Sequence, residues 1–369
     1  MKRTVCFETR VLSILLGFVM SASVGLAAEA ENAGEKRLAG MKSTPSWVTR
    51  MASIHCCARY MGIDEPEAWI FGASGNAFAM NIFKGELCPS GPTAWPEEKS
   101  NALLANAGLR IKGIVANKKN PNAAERRKDM FKRVCAAIDA SRPCVGWEMG
   151  VPEWYPICGY DKAGHYLYLN FDDKVHRKHH GKLGVSEIGV ACVLILEPCK
   201  PVDDRTAVRE ALVLALDIAA GRCAWDRYAG GLAGYDEWIK ALESGKSTDG
   251  LGPAYNAQCW AECRRNAAKF LELAAKRLAD KGLDRDLDSA DFCYRKVSGN
   301  LDAVAKLFPF DHRDRKAMNA NWADKARRAK AAELLRDARV WERKGLISLA
   351  KIAKSLGADV DPDKLDLPK

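Results

Sequence analysis

Four groupings of side chains in this sequence carry the residue types that chemistry needs. His55-Cys56-Cys57 sets an imidazole beside two thiols, the pairing behind thiol hydrolysis or acyl transfer when the imidazole takes the thiol proton. Trp147-Glu148 and Glu153-Trp154 flank a Gly-Val-Pro bend, and two facing carboxylates can cleave a glycoside while an acid beside Trp can hold a ligand. Two acids at a strand turn is the plainer reading of the same residues. Ser74 and Asn76 lie in a loop between Gly72 and Ala77, where two glycines allow close backbone approach and an amide can orient a carbonyl. His176, His179 and His180 stand as HxxHH, but among Arg and Lys in a Gly-ended segment, which reads as a solvated basic loop rather than a ligand set. We therefore expect no metal and no cofactor.

These residues need elements to position them. Ser43 or Thr44 caps a helix with Pro45 in its first turn and Trp47, Met51, Ile54, Cys57 and Met61 at helical spacing, closed by Gly62. A short helix EPEAWIFG, an extended segment ending in NIF, and the rigid turn CPSGPTAWP follow. Residues 97–107 read as helix, LRIKGIVAN as strand and AAERRKDMFKRVCAAIDA as an amphipathic helix, together resembling a βαβ-type unit. From Pro143 to Glu197 the pattern becomes strands, PCVGWEM, EWYPICGYD, HYLYLNF and, after the basic loop, GVACVLILE, which predicts an antiparallel meander. Asp203-Asp204 marks a helix start, and beyond it the chain reads as helix, including one long helix from Arg315 to Gly357. The expected core holds Trp69, Phe71, Ile157 and Tyr160 at a helix–sheet contact, and Leu212, Leu216, Trp238 and Phe270 in the helical half.

The N-terminus carries Lys2, Arg3 and Arg10, then an apolar run, then small residues around Ala28 and Ala30. That order predicts a removable secretory signal peptide cleaved near Ala28 or Ala30, a secreted or periplasmic mature protein, and no later membrane span. Domains follow as residues 1–30 signal peptide, 31–44 linker, 45–200 an α/β domain and 201–357 a helical domain. Net charge is +10, but 57 Lys and Arg face 47 Asp and Glu, so the surface is mixed and nucleic acid is not the expected partner. Of 13 cysteines Cys6 leaves with the signal, 13 − 1 = 12. Many of these sit in apolar periodic segments, where free Cys acts as a small hydrophobe; Cys259 and Cys263 at i, i+4 read as core packing. Oligomeric state is not set by the sequence.

Several words of the chain carry a resemblance: ARYMGI followed by EAWIFGASGNAF, CPSGPTAW, RPCVGWEMGVPEWYPICGYD, DDRTAVREAL and YAGGLAGYDEWIKAL. Over most of residues 45–243 the sequence is similar to an uncharacterised bacterial family related to the N-terminal domain of the butirosin-biosynthesis acyltransferase, within the papain-like, double-glycine-peptidase-like fold. The resemblance implies an α+β class: a papain-like domain with a mostly antiparallel sheet, here followed by an all-helical bundle. It also implies a thiolate at the N-terminus of the central helix, a His leading the strand that ends in Gly159-Tyr160-Asp161, and an Asp or Asn on the next strand. The spacing of that fold puts the nucleophile near Val48 or Thr49, the His position on Glu153, and the third slot at Asn170 to Asp172. A carboxylate at Glu153 does not do the work of an imidazole at neutral pH unless burial raises its pKa strongly.

The leading expectation is a non-catalytic scaffold binding a small molecule or peptide through Ser74, Asn76, Trp147, Glu148, Glu153 and Trp154. A thiol hydrolase or acyltransferase stays open beside it, using Cys56 or Cys57 with His55, Glu153 and Asp172. An envelope interaction protein acting through the helical half is the third reading.

Overall fold

The computed structural model describes residues 34–247 and 249–368. The expected signal peptide and Cys6 lie outside them. No described helix is long and apolar enough to cross a membrane. The class is mixed α+β, a mostly antiparallel sheet followed by a helical part. Contacts gather the chain into two compact units, one of residues 34–45, 52–63 and 111–197, the other of 46–51, 64–110 and 198–368. This interleaving differs from the expected 45–200 and 201–357. Its reason lies in residues 64–110, whose aromatic side chains Trp69 and Phe78 pack on Phe270 and Tyr294 of the C-terminal helices. Gly72 belongs to the same contact, since a Cβ there would meet Phe270 Cγ at 1.9 Å.

The first unit is built on a seven-stranded sheet: β1 (Glu35–Arg37), β3 (Leu109–Asn117), β4 (Cys144–Trp147), β5 (Trp154–Asp161), β6 (His165–Leu169), β7 (Val175–His179) and β8 (Val190–Pro198). Its order is β3-β8-β4-β5-β6-β7. The segment read as a basic loop is therefore the strand β7, paired antiparallel with β6, and β8 returns beside β4. β1 runs along the second half of β5, Glu35 opposite Asp161 and Arg37 opposite Gly159, while β4 covers the first half. Only glycine fits at 159, where a Cβ would lie 2.3 Å from the Lys36 carbonyl oxygen. A register shift between Ile157 and Gly159 also breaks the simple alternation of faces along β5. Helix α1 (Thr49–Tyr60) joins this sheet through its later turns, where Ser53 Oγ donates to the Trp154 carbonyl at 3.2 Å. Helix α4 (Ala123–Asp139) packs Phe131 against Tyr160 and Tyr166.

The second unit holds the small helices α2 (Glu67–Ala73) and α3 (Glu98–Leu103), the antiparallel pair β2 (Asn81–Phe83) and β9 (Tyr228–Gly230), and six further helices. These are α5 (Asp204–Ala219), α6 (Gly231–Ser244), α7 (Leu251–Leu278), α8 (Asp284–Leu307), α9 (Arg315–Ala323) and α10 (Lys325–Ser355). Asp203 caps α5 by accepting from the Thr206 amide. The single long helix expected at the C-terminus is two, because Asp324 takes extended backbone and accepts from Ala326 and Arg327 as the cap of α10. Leu212, Leu216, Trp238 and Phe270 are buried, as are Trp69, Phe71 and Ile157. Trp69 and Phe71 differ from expectation in packing within the helical unit rather than on the sheet, and Tyr160 is half-buried, its hydroxyl donating to Asp139. Nine of the twelve described cysteines are buried.

Candidate functional site

The thiol constellation depends on where α1 begins. The sequence places its cap at Ser43 or Thr44, but Trp47 and Val48 form a bend and the helix starts at Thr49. Cys56 is then the eighth helical residue, two turns from the end where free N–H groups and the helix dipole stabilise a thiolate. It is 3% exposed, and burial, with Asp173 and Cys158 adding to it, pushes its thiol up to about 12 despite Arg59. Cys57 is fully buried, donates to the Cys144 carbonyl at 3.5 Å and is raised well above the ordinary 9.0. Successive helical residues point about 100° apart, so His55 and Cys56 do not face one another in α1. The His55 side chain is itself buried.

Glu153 lies one residue before β5, half-buried, with its carbonyl accepting from the Glu148 amide at 2.8 Å. From the strand that Glu153 precedes, Ile157 pairs with Tyr168 of β6. The residue before β5 is thus a carboxylate, where thiol chemistry needs an imidazole. Asp172 is exposed in the turn, accepts from the Lys174 amide at 3.1 Å and lies 3.6 Å from His176 Nε2. The Lys174 amide is the main cause of its lowered pKa.

The start of α1 does carry a half-buried carboxylate, supplied by α7. Glu262 Oε2 accepts from the Val48 amide at 2.7 Å and from Ser46 Oγ at 2.9 Å. Burial raises the Glu262 pKa while these two donors lower it. Sequence reasoning missed it, because Glu262 is one acid among several on a long amphipathic helix and only the tertiary fold brings it to Val48.

At the Trp147–Glu148 corner the two indoles of Trp147 and Trp154 pack at 5.4 Å, both buried. Glu148 has φ of 58°, a left-handed backbone that is strained for a residue with a side chain. Its carboxylate is buried and accepts from Ser186 Oγ at 2.9 Å. Burial raises its pKa, and Ser186, Lys178 and Lys118 oppose the rise. Lys178 is lowered by burial, with Glu148 opposing. Beside them Tyr155 accepts from the Val151 amide at 3.0 Å and packs on Tyr168 and on the exposed Phe171. Ser186, Lys178 and the aromatic trio were not legible in the sequence. A buried acid among aromatic rings suits a ligand that presents donors or positive charge.

Ser74 and Asn76 sit inside the fold. Both are buried, Ser74 donating to the Phe71 carbonyl at 3.0 Å and Asn76 Oδ1 facing the Cys263 thiol. His176 and His179 are three apart on a strand and so point to opposite faces, His176 opposite Tyr168 and His179 opposite His165. Among the described residues no three metal-ligating side chains come together. An open groove of about 450 Å³ lies between α6 and α10, floored by Ile239 and Val340 and rimmed by the Arg339–Asp236 and Arg336–Glu243 ion pairs. No protein-family model matches this chain, and no curated protein matches it.

Proposed function

We propose that this chain is an exported, cysteine peptidase-like scaffold without thiol catalysis, which holds a small molecule or peptide at the Trp147–Glu148 corner of its sheet. The observation that carries the reading is Cys56: buried in the eighth residue of α1, its thiol is pushed up to about 12, so almost none of it is thiolate at neutral pH. Glu153, at the strand end where the resembling fold places a histidine, adds to the same conclusion. The strained, buried Glu148 supports the binding half, since backbone strain of this kind collects at ligand sites. The test is iodoacetamide labelling of the native protein at neutral pH. Cys56 and Cys57 should label far more slowly than a free thiol peptide, and equally slowly after His55→Ala. Rapid stoichiometric labelling that His55→Ala abolishes would establish the thiol enzyme instead.

A further inference from the structure

We propose that the contact between α4 and the turn His180–Lys182 is a binding site for a phosphate-type oxyanion. Helix α4 presents Arg127, Lys128 and Phe131 at i, i+1 and i+4, so Phe131 shares a face with the two cations one turn before it. The His180 ring stacks on Phe131 at 5.1 Å and 26°, and the His179 ring lies 4.6 Å from His180. His180 is therefore held against the face that carries Arg127 and Lys128. His179 Nδ1 accepts from the Gly181 amide at 3.2 Å, which leaves the proton of the neutral ring on Nε2 as a donor. Four nitrogen-bearing side chains from two elements thus converge, with Lys182 in the same turn.

The cluster lacks the partners such groups normally have. Arg127 Nε and His180 Nδ1 are both buried with no hydrogen-bond partner, and among the described residues none of Arg127, Lys128, His179, His180 and Lys182 forms an ion pair. The acids of this region are engaged elsewhere or exposed. Asp129 pairs with Arg133, Asp161 with His165 and Arg177, and Glu125 faces solvent. Clustered cations without counter-charge repel one another, and the cost is relieved by an anion that accepts from several donors at once. A phosphate group, with up to two negative charges and several acceptor oxygens, matches a guanidinium, an ammonium and two imidazoles better than a single carboxylate. His180 is lowered by burial first, then by His179, Lys128, Arg127 and His165. A bound anion reverses those repulsions, so binding takes up protons and tightens as pH falls through the imidazole range. His165, held by Asp161, is the remaining titratable neighbour of His179.

Inorganic phosphate titrated into the full chain, followed by the imidazole NMR signals of His179 and His180, tests this directly. We expect saturable shifts near pH 6, about tenfold weaker binding near pH 8, and about tenfold weakening in Arg127→Gln and Lys128→Gln. Arg133→Gln, on a residue already paired with Asp129, should change nothing. Co-sedimentation with phosphatidylglycerol vesicles but not phosphatidylcholine vesicles, lost in Arg127→Gln, would assign the phosphate to a lipid headgroup. Because an Arg127→Gln chain could fold poorly, Arg127→Lys is the companion variant, keeping the charge while losing the fork and weakening binding to a lesser degree. Shifts that chloride produces equally, or that persist unchanged in both Arg127 variants, with no vesicle binding, would overturn the proposal.

Discussion

Glu262 holds the backbone amide of Val48 at 2.7 Å, so the N-terminus of the helix carrying His55, Cys56 and Cys57 is fastened by a carboxylate from a helix more than two hundred residues later. The same oxygen accepts from Ser46 Oγ. An anion at this place does what an N-cap does, satisfying a donor that the helix leaves open. Glu262→Ala should lower stability by about 1–3 kcal/mol, the cost of leaving the part-buried Val48 donor without its partner. Glu262→Gln, which keeps a carbonyl acceptor, should cost less. Urea denaturation midpoints of the two variants check the difference, and equal midpoints would show that the contact adds nothing.

A second carboxylate makes stability depend on pH. Glu97 pairs with buried Arg50 at 2.8 Å, and Arg50 also donates to Asn101. Burial raises Glu97 to about 7, Arg50 opposing and Glu98 adding. The folded chain then keeps a proton between about 4.5 and about 7 that the unfolded chain has released, so unfolding releases a proton and stability falls as pH rises through that window. Glu97→Gln should flatten this fall. Chemical denaturation of native and Glu97→Gln protein across the window checks it, and parallel pH curves would place the proton elsewhere.

How much of this was legible in the sequence depended on the range of the interactions involved. β3 is the strand read from LRIKGIVAN, and the Asp203 cap of α5 was plain, because periodicity and capping are local. β7 was missed since VHRKH reads as solvated, yet a strand at the edge of an antiparallel sheet tolerates charge once its partner His165–Leu169 supplies the pairing. The break at Asp324 was hidden because Asp inside a charged helical stretch carries no distinctive signal. At the candidate site the sequence pointed to Trp147, Glu148 and Trp154 but could not supply Ser186 or Lys178, which meet Glu148 only through the sheet.

Trp238 tests the helical core. It is 1% exposed on α6, and its Nε1 is buried with no hydrogen-bond partner. Trp238→Ala should cost about 3–5 kcal/mol through the cavity it leaves. Trp238→Phe should cost markedly less, because the smaller ring loses contacts but also removes an unsatisfied donor. A Trp238→Ala protein with an unchanged denaturation midpoint would show that α6 is peripheral to the fold.

The Asn76 loop is braced by an ion pair, and that pair gives the sharpest stability test. Arg264 Nε lies 2.7 Å from Glu342 Oε2, and its Nη1 donates to the carbonyls of Ala77 and Ala79 at 3.0 and 2.7 Å. Tyr235 and Tyr294 donate their hydroxyls to the two Glu342 oxygens, at 2.8 and 3.2 Å. Every side chain in this network is fully or almost fully buried, so the loop backbone is fixed by a charged group that cannot turn to water. Removing one charge strands the other, and Glu342→Ala or Arg264→Ala alone should cost about 3–5 kcal/mol. Arg264→Met should also unseat the Ala77 and Ala79 carbonyls, whereas Glu342→Gln retains acceptors for the tyrosines and should be the mildest single change. The double variant Arg264→Met, Glu342→Leu should cost less than the sum of its parts, since it leaves no uncompensated charge. Hydrogen exchange at the amides of residues 75–80 reads the same event locally, with faster exchange expected in Arg264→Met than in Glu342→Gln. Additive costs in the double variant, with exchange at 75–80 unchanged, would mean that the loop is held by its apolar contacts alone.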